Sequence, residues 1–347
     1  MAAAFCCVPF SKSVALTLPE DEPVMVYYMP LTQLLFTVEY DEIVTEVGPF
    51  YQYSARYLGT TDVQTKAEKQ FVLHNVTFRP IASADTTRSY ILQDKTGKAQ
   101  LLSLTPYGTL AGYNTELQAE SRKHRTAKPD QRKAKCDNLI GTETTRLMPL
   151  LEEQLMASST AKMAEGAAKQ IYRIREMRLN LLGGDVEKYP ADGEALKRVL
   201  AEMDKREQEL TALFVGMRRV THHVRHITYT PATNNGNPES ILFRFSRYFG
   251  IVANDDLSGE PVTLRISKAA HQLHVADKPS KQGAPLLYYN LPGEGNVTVR
   301  YTDQVLVDHP VEIAQWGVSV PVNSALLDGK TRITFNPKTG TITSIEK

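Results

Sequence analysis

The stretch Leu150–Phe214, LLEEQLMASSTAKMAEGAAKQIYRIREMRLNLLGGDVEKYPADGEALKRVLAEMDKREQELTALF, decides the architecture. Met156, Met163, Ala167, Ile171, Ile174, Met177 and Leu181 recur at steps of seven, four and three, which puts them on one helical stripe. Lys162, Glu165, Lys169, Arg173, Glu176 and Asn180 take the opposite face and suit solvent. A first helix is therefore expected from Glu152 or Thr160 to Leu182. Gly183 and Gly184 end it, because glycine adopts the left-handed cap at least cost. A second helix starts near Asp192, an N-cap residue, with Glu194 in the first turn. Its stripe is Leu196, Val199, Leu200, Met203, Leu210, Leu213 and Phe214; Glu207 interrupts it and Gly216 ends it. The short loop, closed by Pro190, favours antiparallel packing. The hairpin reads either as a brace between β units or as a partner-binding arm.

Outward from the hairpin, both flanks read as β-structure. Val24–Tyr28 and Thr32–Glu46 are expected strands, the second with apolar residues alternating from Leu34 to Tyr40. Gly48–Gly59 is a compact helix with Pro49 in its first turn and Phe50, Tyr53 and Tyr57 on one face. At helical spacing that face is read as core rather than as a sugar-stacking surface. Lys69–Phe78, Ser89–Gln93 and Ala99–Leu104 follow as strands. On the far side come Arg218–Thr230, Ile241–Val252, Pro261–Lys268, Leu286–Asn290, Asn296–Leu306, Glu312–Pro321, Arg332–Asn336 and Thr341–Ile345. Turns are expected at Asn234–Pro238, Pro292–Gly295, Asp328–Gly329 and Asn336–Gly340. Many short strands at close spacing imply a sandwich or a strongly curved sheet.

The organisation that results is α+β: a tail or leader remnant at residues 1–23, a β-rich N-terminal unit at 24–113, a polar linker at 114–149, the antiparallel helical hairpin at 150–216 and a β-sandwich-like unit at 217–347. At 347 residues the chain can hold more than one core. A net charge of +1 gives no global field for nucleic acid or anionic membrane. No apolar run reaches 18 residues, so no transmembrane helix is expected. The start lacks the positive region of a secretory signal. Cys6, Cys7 and Cys136 form neither a disulfide framework nor a zinc pattern.

Candidate chemistry is sparse. His222, His223 and His226 are the histidine cluster, but on a strand His222 and His226 lie roughly 13 Å apart and His223 points the other way. No metal site is expected from them. Asn254–Glu260 is acidic yet lacks the ligand alternation of a calcium loop and reads as a hairpin turn. Arg122–Lys135 is locally basic without interleaved aromatics and reads as solvated loop, so nucleic acid is not the expected partner. Asn75-Val-Thr and Asn296-Val-Thr match glycosylation acceptors. There is no nucleophile elbow, Walker loop or dinucleotide fingerprint, so no catalytic residue and no cofactor is assigned.

Several stretches occur in a familiar order: Tyr27-Tyr-Met-Pro30, Gly48–Gly59, Tyr189–Leu196, Glu209–Gly216, Gln315-Trp-Gly317 and Phe335-Asn-Pro-Lys-Thr-Gly340. Together they resemble domain-of-unknown-function family 4831, uncharacterised proteins of Bacteroidetes. The resemblance implies an exported, periplasmic or cell-envelope protein and transfers no site residues. The functional expectation is a non-enzymatic envelope protein that binds another protein or scaffolds an assembly. The alternative is a glycan-binding module or glycan-active enzyme, suggested by 16 tyrosines and many inter-strand loops.

Overall fold

A computed structural model describes residues 24–93, 101–115, 159–185, 193–233, 237–269, 287–327 and 329–347. The 1–23 segment, the basic 122–135 segment, the three cysteines, the hairpin's 150–158 and its connecting loop with Pro190 and Asp192 lie outside the described residues, as do Asn234–Gly236 and Asp328.

Strand β1 (Val24–Glu46) pairs along its length with β2 (Glu68–Gln93), and its second half also pairs with β5 (Met217–Tyr229). The result is a three-stranded antiparallel sheet in the order β2-β1-β5. Alternation explains which face is buried: Leu34, Phe36, Val38 and Tyr40 point inward, and Thr37 and Glu39 point outward. The inward face packs on a five-stranded sheet built from β6 (Asn237–Ser246), β7 (Gly250–Val252), β8 (Glu260–Lys268), β9 (Tyr288–Tyr301) and β10 (Gln304–Pro321), ordered β10-β9-β8-β6-β7. Phe243, Phe245, Val262, Leu264, Val297, Val299 and Ile313 complete this sandwich core. The α+β reading, with an N-terminal sheet, a central helical pair and C-terminal sheets, is thus what the chain forms, but the sandwich takes one of its layers from the N-terminal strands β1 and β2 rather than from the C-terminal part alone.

A third sheet joins strands that precede the helical pair to strands at the C-terminal end of the described chain. β3 (Leu102–Leu104) and β4 (Leu110–Tyr113) pair, and β4 also pairs with β11 (Arg332–Phe335), which pairs with β12 (Ile342–Glu346). Its core of Tyr27, Met29, Leu102, Tyr113, Leu287, Ile333 and Phe335 sits under the far end of the β1–β2 ribbon. Two of the three sheets therefore draw strands from both sides of the hairpin.

Several expected breaks are absent. Pro30 does not divide β1, because β5 pairs only from Leu34 onward and Pro30 lies where β1 has a neighbour on one side alone. Arg79–Arg88, which lies between two expected strands, continues β2. A register shift there throws out extra residues, and Asp85 fastens the bulge by accepting from Thr87 N (3.0 Å), Thr87 Oγ1 (2.6 Å) and Arg88 Nε (2.7 Å). Pro292–Gly295, expected as a turn, runs inside β9. Its glycines are there for clearance: a Cβ on Gly293 would stand 2.8 Å from Trp316 Cβ, and one on Gly295 2.7 Å from Trp316 Cζ3.

The helical pair consists of α2 (Thr160–Gly183), capped by Ser159 accepting from Lys162 N, and α3 (Gly193–Val215). Arg175 pairs with Glu207, and Arg178 with Glu207 and Asp204, so the helices run antiparallel. This explains the break in the apolar stripe: Glu207 is a largely buried acceptor for two guanidinium groups. Burial pushes its carboxyl up, but hydrogen bonding and charge from Arg175 and then Arg178 more than offset this and hold it below the usual range.

The main apolar cluster of the pair is at its base, and Leu181 near the far end of α2 is buried as well. Ala164, Ala167, Ala168 and Ile171 of α2 close on Leu210 and Phe214 of α3 and on Phe50. Phe50 leads into the 3-10 turn Tyr51–Tyr53 and α1 (Ser54–Leu58), which Gly59 ends in the left-handed conformation (φ 69°). Phe50, Tyr53 and Tyr57 belong to this cluster, as core. Phe50 N donates to Leu213 O and Gln64 N to Val215 O, stitching the base to the β1–β2 connection. Beyond Ile174 the pair extends as an arm.

Candidate functional site

A cavity of about 430 Å³ lies where all three sheets meet. β2 supplies Phe78, Pro80 and Ile81 to one wall, β10 supplies His309–Glu312 to the other, and the β11–β12 turn closes an end with Asn336, Lys338 and Thr339. β2 and β10 are the edge strands of their sheets, so the groove runs between two edges.

A buried polar junction fixes its floor. Pairing of β10 with β9 breaks between Ile313 and Val318, freeing Ala314–Gly317 from the ladder. Gln315 turns toward β1: its Oε1 accepts from Thr32 N (2.9 Å) and its Nε2 donates to Thr32 O (3.0 Å) and Pro231 O (3.1 Å). Ala314 N donates to Thr32 Oγ1 (2.9 Å). Trp316 lies over Gly293 and Gly295 and donates from Nε1 to Ala232 O (2.7 Å). Asn290 of β9, fully buried, donates to Ala314 O (3.0 Å) and Thr339 O (2.8 Å), while its backbone N–H donates to Gly340 O (3.0 Å). Gly340 (φ 79°) has no room for a side chain, since a Cβ there would meet Asn290 Cβ at 2.8 Å. Such a junction holds a groove in one shape, because each misplaced strand would strand buried polar groups.

Three of the stretches that carry the family resemblance meet at this junction. Pro30 ends the first, Gln315-Trp-Gly317 is the second and Phe335–Gly340 is the third. A family model described as a domain of unknown function (DUF4831) matches residues 24–343. The chain belongs to the DUF4831 family. The family description assigns no activity, and neither a curated protein nor a solved structure matches the chain.

The histidine cluster of this DUF4831 chain lies on β5, away from the groove. Its members take separate partners on β1. Asp41, buried, accepts from His222 Nδ1 on one side and from His74 Nε2 of β2 on the other. His74 reaches it because the β1–β2 register shift at Glu39/Tyr40 leaves it unpaired on the outer face. His223 faces inward, stacks on Tyr40 (5.1 Å) and reaches Glu42 Oε2 (2.7 Å). A hydrogen bond from Lys69 holds the Glu42 carboxyl below its usual range; burial opposes this and His223 adds to it. His226 meets Thr37 Oγ1 at 3.2 Å. Among the described residues no three of His, Cys, Asp and Glu converge as a metal ion would require.

In the Asn254–Glu260 loop Arg244 takes the position a cation would hold, donating to Asn254 O and Gly259 O at 2.9 Å. Asp256 accepts from Ser258 N (2.8 Å) as a local turn, which keeps its carboxyl below the usual range. Asn75 is exposed, whereas the side-chain amide of Asn296 donates to Asp308. The tyrosines are partly interior: Tyr27, Tyr40 and Tyr113 are buried.

Sequence reading missed the groove because its walls come from four separated stretches. No local signal pointed to it, since Pro80 and Pro310 both fall between the expected strands.

Proposed function

We propose that the protein is a non-enzymatic component of the cell envelope that binds another protein through its helical arm, in a scaffolding role. The observation that carries this reading is the distal half of α2. Leu179 and Leu182, three residues apart on one face, are 70% and 59% exposed. They stand about 7.5–12 Å beyond Ile174, the last residue of α2 packed on the base, at 1.5 Å per residue. Met177 and Val199 add apolar surface nearby on the arm. Covering a leucine side chain is worth about 1.5–3 kcal/mol, so two such residues on a rigid stalk form a usable anchor. The envelope location is supported by the family resemblance to exported proteins.

The test is site-specific photo-crosslinking in the native cells. A crosslinker at Met177 should give one discrete adduct with a second protein. The same group at Val305, exposed on β10, should give none. The adduct should vanish in a Leu179→Glu/Leu182→Glu variant whose circular dichroism is unchanged. An adduct that survives the double variant, or none from the arm at all, refutes the assignment.

A further inference from the structure

The groove at the three-sheet junction is independent of the arm, and its chemistry selects a different class of ligand. Its volume of about 430 Å³ is in the size range of small-molecule sites, roughly 300–1,000 Å³. Two strand edges facing a cavity would ordinarily invite an extended peptide, which adds to an edge through backbone hydrogen bonds. Here each edge carries a proline in the groove wall, Pro80 on β2 and Pro310 on β10. Proline has no N–H to give, and its ring obstructs an incoming strand. Neither wall therefore offers a continuous ladder at this point.

What the walls do offer is ring faces below and hydrogen-bonding groups around the rim. Phe78, Pro80 and Pro310 present apolar rings. Glu312 and Lys338 stand at the rim, exposed, and make no ion pair among the described residues. Asn336 uses its side-chain oxygen to accept from Lys338 N (3.0 Å), which leaves its amide N–H groups to donate outward. Donors and an acceptor are thus both available, with one charge of each sign. An anionic ligand meets Glu312 and a cationic one meets Lys338, so the balance favours a neutral molecule. Flat apolar C–H faces edged by hydroxyl groups fit such a wall and rim. The polar junction behind the floor holds Thr32 and the Asn336–Gly340 turn in place, so little ordering is needed on binding.

We propose that this groove binds a short neutral oligosaccharide, with its ring faces on Phe78, Pro80 and Pro310 and its hydroxyls on Glu312, Asn336 and Lys338. The glycan alternative suggested by the tyrosine count would then rest on other residues.

The experiment is isothermal titration of the full chain with cellohexaose, xylohexaose, mannohexaose, maltohexaose and chitohexaose. Unstructured decapeptides are titrated in parallel. At least one sugar should bind saturably. Glu312→Gln and Lys338→Ala, both surface changes, should each weaken that binding at least tenfold, and Phe78→Ala should abolish it. Arg265→Ala, on the outer face of the five-stranded sheet, should leave it unchanged. No binding by any of the five sugars overturns the proposal. So does sugar binding that ignores the Glu312 and Lys338 changes, or peptide binding lost in those same variants. None of these outcomes bears on the arm, whose crosslink uses different residues.

Discussion

Gly295→Ala provides a sharp test of the glycine reading at the junction. A methyl group built on Gly295 falls 2.7 Å from Trp316 Cζ3, 3.2 Å from Ser267 O and 3.4 Å from Ile313 Cδ1. Carbon atoms rest at about 3.5–4.0 Å, so the indole edge must retreat by about 0.8 Å or more. It has little freedom to do so, being 6% exposed and held through Nε1 by Ala232 O. Overpacking of this kind costs about 1–3 kcal/mol. Trp316→Leu removes the offending atom. The change is expensive alone, about 3 kcal/mol, but in its background Gly295→Ala should cost almost nothing. The remaining tight contact, with Ser267 O, is opposed by the stiffer unfolded chain, worth about 0.4–1 kcal/mol. The coupling energy should thus reach about 1–3 kcal/mol. Gly293→Ala is the control. Its methyl meets Trp316 Cβ at 2.8 Å and the Trp316 carbonyl group at 2.8–2.9 Å, and leucine keeps those atoms. No rescue is expected there. Urea unfolding followed by far-UV circular dichroism gives each free energy; fluorescence is unsuitable because Trp316 is the sole tryptophan. Equal costs for Gly295→Ala in both backgrounds, or rescue of Gly293→Ala as well, would refute the reasoning.

Two further outcomes follow from the arm and the junction. The folded Glu207 carboxyl lies below its unfolded value near about 4.3, so its contribution is complete above that pH and is lost as pH falls through the folded value. Hydrogen-exchange protection in α2 and α3, taken relative to the intrinsic exchange rate at each pH, should fall over that acid window in the native chain and follow a flatter profile in Glu207→Gln; parallel profiles would remove Glu207 as the cause. Gln315→Leu leaves Thr32 N–H, Thr32 C=O and Pro231 C=O without their partner. At about 1–3 kcal/mol per orphaned buried group the loss should be at least about 3 kcal/mol by urea unfolding, and a loss below about 1 kcal/mol would show that the junction is satisfied in other ways.

Local pattern carried much of the fold. The helical stripes, the Gly183–Gly184 stop and the aromatic face of Phe50, Tyr53 and Tyr57 were legible because they depend on residues within a turn or two of each other. Strand continuity was less so. Pro30, Arg79–Arg88 and Pro292–Gly295 carry turn chemistry, yet each lies inside a strand. The causes differ: at Pro30 there is no β5 partner to disrupt, Asp85 fastens a bulge that lets β2 run on, and at Pro292–Gly295 the indole of Trp316 from distant β10 occupies the space over the glycines. The groove was illegible because its walls come from separated stretches.

By itself the sequence determined the helical pair, the β-rich flanks, the separation of His222 from His226 and the family. These follow from periodicity, spacing and ordered short stretches, all of which are properties of neighbours along the chain. Tertiary structure alone decided that β5 joins β1, that β4 joins β11, and that Pro80 and Pro310 face each other across a cavity. Asp41 between His74 and His222 belongs to the same category. Such pairings are set by which faces and edges must be covered when distant strands meet, and no local pattern encodes the partner.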